Sequence, residues 1–252
     1  MRLRAALSAA FLAAGAALAV AAPASAVANG NDVAPGEYPF AAKLSMPVIP
    51  KADGTTYSSG CSGSLIAPQW IITAGHCFHD VNRKPVSGPV PYGTSVLLGA
   101  TTDEPGKGER RNVTEVQQAG INDVAIAKLD SPVTDIKPLT VSPAAPTTGQ
   151  KVLLAGWGSL TEVSPKPSDK LQQGEMQVVG SDATTASIIG VAPKKDTSAC
   201  SYDSGAPYFV DDGDHTGRII SVESTGPDCP HSTPETTARV DILKDWIASH
   251  TQ

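Results

Sequence analysis

Three short contexts in this 252-residue chain hold side chains that could act together on a carbonyl group. Thr73-Ala74-Gly75-His76-Cys77 ends an apolar run with a histidine, and Asn122-Asp123-Val124-Ala125-Ile126 opens another with a carboxylate. Cys200-Ser201-Tyr202-Asp203-Ser204-Gly205-Ala206-Pro207 sets a serine in a tight turn. A hydroxyl is a weak nucleophile at its free pKa and needs an adjacent base. That base in turn needs a group that fixes its tautomer and balances the imidazolium that forms. Singly, each residue has an ordinary structural explanation: a turn serine, a strand-capping aspartate, a core histidine. Together, His76, Asp123 and Ser204 supply every part of acyl transfer to water, a chemistry that serves amides and esters alike.

Such residues need a rigid scaffold to meet. Runs rich in Val, Ile and Leu recur between turn signals: residues 41–44, 64–66, 71–73, 96–98, 124–129, 152–155, 176–179 and 218–222. With 23 Gly and 21 Pro among them, the pattern is all-β. Only the stretch from Arg239 to His250 places apolar residues (Val240, Leu243, Trp246, Ile247) at helical spacing. The Pro- and Thr-rich segment from Pro132 to Gly149 is the expected connection between two halves, and no internal repeat is evident in the sequence.

Arg2 and Arg4, the Ala- and Leu-rich run that follows and Ala24-Ser25-Ala26 have the anatomy of a secretory signal peptide over residues 1–26. Export as a soluble, extracellular, monomeric protein is the expectation, without a membrane anchor after cleavage. Without that leader the chain has 17 basic and 25 acidic residues, a net charge of −8. No basic cluster offers phosphate a footprint, so nucleic acid is not an expected partner. Asp211-Asp212-Gly213-Asp214 fails the spacing of a calcium loop and reads as a solvated hairpin turn; neither a metal nor another cofactor is expected. His79, His215, His231 and His250 read as surface residues. Four cysteines outside the cell read as two disulfides, for which three pairings exist. Cys61 with Cys77 and Cys200 with Cys229 is favoured, because each closes a loop around a segment that carries chemistry. Loops of this length contribute about 3 to 4 kcal/mol in the chain-entropy account.

From Val27 to the final helix the chain resembles the trypsin/chymotrypsin family of serine peptidases. Besides the order His, Asp, Ser, it carries Cys61-Ser62-Gly63-Ser64-Leu65-Ile66, Ala155-Gly156-Trp157-Gly158, Thr237-Ala238-Arg239-Val240 and Asp245-Trp246-Ile247. The resemblance implies two six-stranded antiparallel β-barrels, residues 27–140 and 141–252, with a C-terminal helix and a cleft between the barrels. It makes His76 the general base, Asp123 its orienting carboxylate and Ser204 the nucleophile, with the N–H groups of Tyr202 and Ser204 as an oxyanion hole. It also implies that a new N-terminus at Val27 turns inward to pair with Asp203. Cleavage after Ala26 yields that terminus directly, whereas cleavage after Ala21 or Ala22 leaves a very short propeptide. The Ala-rich leader points to a bacterial source, where the Asn112-Val113-Thr114 sequon has no consequence.

For substrates, the resemblance places Ser198 at the floor of the primary pocket and aims Glu235 into it from the opposite wall. Ser221-Val222-Glu223 becomes the strand that pairs with an extended polypeptide. Together these imply a peptidase that takes Lys or Arg before the scissile bond and tolerates Phe or Tyr. Tyr202 stands where most of the family has glycine. That departure keeps a catalytically silent binding protein, and a small-ester esterase, among the alternatives.

Overall fold

The computed structural model describes residues 27–252; the expected signal peptide lies outside the described residues. Twelve longer strands carry the fold. Six come from the first half: β1 (Ala41–Pro50), β2 (Thr56–Ala67), β3 (Trp70–Ala74), β4 (Ser95–Leu98), β5 (Glu109–Gln118) and β6 (Val124–Leu129). Six come from the second: β7 (Lys151–Gly156), β8 (Gln172–Ser181), β9 (Thr185–Ala192), β10 (Pro207–Gly213), β11 (Thr216–Thr225) and β12 (Glu235–Arg239). The first set pairs in the order β1-β2-β3-β6-β5-β4 and closes through β4 and β1. The second pairs as β7-β8-β9-β12-β11-β10 and closes through β10 and β7.

All of these ladders are antiparallel, and closure leaves neither barrel with a free sheet edge. The two connectivities are identical, a duplication of topology that the residue pattern does not display. The eight apolar runs read from the sequence all lie in strands. β5, β9, β10 and β12 were not anticipated. β5 (ERRNVTEVQQ) is largely charged and polar, burying chiefly Val113 and Val116 while Arg111 pairs with Glu109. The expected twelve-residue helix is shorter. Arg239 is the last residue of β12, opposite Ser221, Asp241–Leu243 form a 3₁₀ turn, and α1 covers only Lys244–His250.

The two ends of the described chain cross over. Asn31–Asp32 pair with β8 of the second barrel, although they precede the first. Leu243 and Ile247 join the larger apolar cluster, centred on the first barrel. Between the barrels, the Phe40 and Phe209 rings meet edge-to-face with centroids 5.2 Å apart, and Tyr38 meets Phe209 at 5.1 Å. The smaller cluster fills the second barrel and includes Val27, Ala199 and Ala206, residues that flank the serine turn or pack on it.

Glycines at that turn are set by space. A Cβ at Gly158 would sit 2.2 Å from the buried carboxyl carbon of Asp203. Gly158→Ala is therefore expected to cost about 1 to 3 kcal/mol, seen as a lower Tm or urea midpoint. Gly93→Ala, where nothing lies within 4 Å, serves as the control and is expected to stay within about 0.5 kcal/mol.

Candidate active site

β3 is buried along its whole length (WIITA) and ends in a tight turn, Gly75–Cys77, that presents His76. Antiparallel pairing sets Ala74 opposite Val124 on β6. The residue after one and the residue before the other must then be neighbours, which is how register brings Gly75 and His76 to Asp123. Gly75 has no room for a side chain: a Cβ there would lie 2.6 Å from Gln118 Oε1 and 3.0 Å from Asp123 Oδ1. Gln118 fixes the turn by donating its amide to the carbonyls of Gly75 (2.9 Å) and Phe78 (3.2 Å). A disulfide from Cys77 to Cys61 ties the same turn to β2, and a second joins Cys200 to Cys229.

Ser204 arrives from the second barrel on the turn before β10. Gly205 (φ +84°) lies so close to the first barrel that a Cβ would be 2.1 Å from Thr73 Oγ1 and 2.5 Å from the Ser62 carbonyl. Ser62 donates its N–H to the Ser204 carbonyl at 2.9 Å. Across this seam His76 Nδ1 lies 2.7 Å from Asp123 Oδ2, and His76 Nε2 lies 2.9 Å from Ser204 Oγ. A carboxylate accepts only from a donor, so the proton belongs on Nδ1 and the Nε2 lone pair faces the serine hydroxyl.

Asp123 accepts two further hydrogen bonds, from the His76 N–H (2.8 Å) and from Ser224 Oγ (2.6 Å). Burial alone would raise its carboxyl. The donors on His76 and Ser224 outweigh that and hold it below the usual carboxylate range. Ser224, 101 residues away, had no local sequence signal. The N–H groups of Tyr202 and Ser204 have no acceptor among the described residues, whereas the intervening Asp203 N–H donates to the Cys200 carbonyl at 2.9 Å. Tyr202 holds φ at +76°, the left-handed region where a side chain costs about 1 to 2 kcal/mol.

Asp203 is fully buried. Its carboxyl accepts from the N–H of Gly158 (2.8 Å) and of Cys200 (3.0 Å), and no cation pairs with it among the described residues. Burial pushes it well above its ordinary range. Val27 is buried in the apolar cluster that also holds Ala199 and Ala206.

Two cavities open on either side of Ser204. One, of 310 Å³, is flanked by His76, the Cys61–Cys77 disulfide, Tyr57, Arg83 and Tyr202. The other, of 220 Å³, is lined by Ala199, Ser201, Ser224–Gly226 and four acids: Glu162, Glu223, Asp228 and Glu235. Glu235 is buried and accepts the Ala199 N–H at 2.6 Å. Glu223, which could equally have faced water, is buried too, and Tyr208 donates its hydroxyl to it at 2.8 Å. Burial raises both carboxyl groups, Glu223 well above its usual range and Glu235 to about 7.

Three expectations need correcting. Ser198 does not line this cavity; it is buried, with its hydroxyl accepting the His231 N–H at 3.3 Å. Ser221 and Val222 do not reach the cleft either. Ser221 takes a hydrogen bond from Thr237 Oγ1 (2.9 Å) and Val222 lies in the core. β11 is longer than its apolar run, and an irregularity between Glu223 and Thr225 brings Ser224-Thr225-Gly226 to the cleft instead. Finally, His79 is buried rather than on the surface, and the His231 side chain is only 9% exposed. Glu162, Cys200 and Cys229 cluster like metal ligands, but both sulfurs are spent in the disulfide.

The family model described as Trypsin matches residues 27–247. Mouse transmembrane protease serine 11G is 30% identical over 210 residues, covering 76% of this chain and 49% of that protein. Human transmembrane protease serine 5 is 26% identical over 244 residues, 89% of this chain and 51% of that one. The chain thus spans about half the length of the curated relatives it matches. The solved structure of neuropsin, a serine protease expressed in the limbic system of mouse brain, aligns with a TM-score of 0.69 and 20% identity. It covers 88% of this chain and 99% of its own, a likeness of fold alone. These relatives are mammalian and give no support to the bacterial source that the leader suggested. With the match running through nearly the whole described chain, this protein belongs to the trypsin family.

Proposed function

We propose that this chain is a secreted serine endopeptidase that works through an acyl-enzyme. The observation that carries the reading is the unbroken relay from Asp123 through His76 to Ser204, 2.7 and 2.9 Å across a seam between two barrels. Ser204 Oγ attacks the scissile carbonyl while its proton passes to His76 Nε2. Asp123, kept ionised by its donors, balances the imidazolium. The oxyanion that forms is received by the unoccupied N–H groups of Tyr202 and Ser204, a kind of donor whose single loss typically costs on the order of 10²- to 10³-fold in kcat. His76 then returns the proton to the leaving amine, and water repeats the sequence on the ester that remains. Tyr202 favours the silent alternative through the backbone cost of its left-handed φ and through its place in the wall of the 310 Å³ cavity.

Specificity follows from the acid-lined cavity. Among the described residues four acids and no Lys or Arg line it, so a Lys or Arg side chain before the scissile bond is its natural complement. Phe and Tyr would gain burial there but leave the acids unmatched. Activation follows from Asp203: a free Val27 ammonium would supply the cation that its buried carboxyl lacks. Export rests on the leader sequence. No helix among the described residues is long and apolar enough to cross a membrane.

The primary test offers peptide esters and anilides bearing Lys, Arg, Phe or Ala to the protein with Val27 freed. Turnover after Lys or Arg is expected, and Ser204→Ala should lower it by about 10⁴-fold or more. Cleavage after Phe alone would discard the pocket assignment and keep the enzyme, while no Ser204-dependent turnover would leave a binding protein. Protein retaining residues before Val27 is expected to be at least tenfold less active than the same chain after their removal; equal rates would sink the Asp203 pairing. The pH dependence is also fixed in sign. Glu235, raised to about 7 by burial, is charged above that pH and neutral below it. The Lys-over-Phe preference in kcat/KM is therefore expected to rise between pH 5.5 and 8.5, and Glu235→Gln to flatten the rise.

A further inference from the structure

Resting on the peptidase reading but not on its primary specificity, a second recognition element lies on the other side of the nucleophile. His76, which must face the leaving amine to protonate it, lines the 310 Å³ cavity and not the acid-lined one. The larger cavity therefore receives the residues that follow the scissile bond. Among the described residues its walls include Arg83 and no acidic side chain. Arg83 Nη1 donates to Tyr57 Oη at 2.7 Å, and its guanidinium lies over the Tyr57 ring, 5.1 Å from the centroid. The same nitrogen is 3.1 Å from His79 Nε2. His79 Nδ1 lies 2.6 Å from the Asp80 carbonyl, which requires the proton on Nδ1 and leaves Nε2 an acceptor. Arg83 is thus aimed by two neutral groups. Among the described residues no carboxylate comes within ion-pair distance of it. Asp80, its nearest acid in sequence, spends one oxygen on the N–H groups of Asn82 and Lys84. A positioned guanidinium whose remaining donors are free presents the fork that a carboxylate fits.

We infer that this cavity is a subsite for an acidic side chain, Glu or Asp, in the first two residues after the scissile bond, with Arg83 as its ion-pair partner. The cleft then carries acids where the acyl half of the substrate lies and a base where the leaving half lies. Acyl transfer isolates the effect. An acyl-enzyme formed from one ester is partitioned between water and added Glu, Gln or Lys amides, so that only the leaving side varies. Glu amide is expected to capture the acyl group roughly threefold to fivefold better than Gln amide at low salt, the scale of a partly exposed ion pair. Arg83→Gln should bring that ratio to about one, and Arg83→Glu should turn the preference to Lys amide. Equal capture of Glu and Gln amides by the unaltered enzyme, or a ratio unmoved in Arg83→Gln, overturns the assignment. A second arm needs no chemistry. Ser204→Ala protein is titrated with peptides differing only in Glu or Gln after the central bond, where tighter binding of Glu supports the subsite and equal or absent binding overturns it. Failure of the peptidase reading shows separately, as ester turnover that does not depend on Ser204.

Discussion

The approach of Gly205 to the first barrel is the contact on which the site depends. Ser204 belongs to one barrel, His76 and Asp123 to the other, and a hydrogen bond of 2.9 Å between Nε2 and Oγ tolerates little drift between them. The seam is closed where a glycine with no room for a Cβ lies against Thr73 and Ser62. The Ser62 N–H grips the Ser204 carbonyl there, and its hydroxyl bridges the Tyr202 carbonyl (3.1 Å) and the Trp157 N–H (2.9 Å). A Cβ at position 205 would overlap Thr73 Oγ1 and the Ser62 carbonyl, so a side chain there would strain the seam that holds the relay. Positioning of Ser204 against His76 is thus a property of the interface between the two barrels.

The residues nearest in sequence to the chemistry were the most legible. His76 beside Cys77, Asp123 opening β6 and the serine turn between two glycine-dependent contacts each lie in a context a few residues long. The apolar runs announced the strands because a closed barrel buries one face of each. What was not legible arises from closure and register. Ser224 reaches Asp123 only because β11 outruns its apolar stretch by several residues, and the same offset moved the cleft-lining segment three residues from Ser221. Gln118 supports the histidine turn from the end of a strand whose polar sequence resembles a loop. Glu223 looked free to face water, and only the Tyr208 hydroxyl from the neighbouring strand reveals that it is buried. The His79, Tyr57 and Arg83 cluster unites a strand end with a surface turn, a juxtaposition that pattern within either segment does not contain.

Three acids, Asp203, Glu223 and Glu235, lie buried in or beside the core of the second barrel. Beyond desolvation, the charge of Glu235 raises both of the others. Desolvation of three acids is tolerated because each accepts a specific donor: backbone N–H groups for Asp203 and Glu235, and a tyrosine hydroxyl for Glu223. Satisfying a buried carboxyl with neutral donors keeps it in place, while its desolvation favours the protonated form.

The exchange of ends between the barrels has a consequence for how the halves can exist. Their matching connectivity suggests two copies of one unit, yet neither copy is self-contained. The segment around Asn31 and Asp32 adds its edge to the second barrel, and the turn and helix at Leu243 and Ile247 cover apolar surface continuous with the first. Divided at the connection, each half would carry away a piece of the other's covering and expose the surface it left behind. The topology is duplicated, but each copy leans on a segment from the far end of the chain for part of its covering.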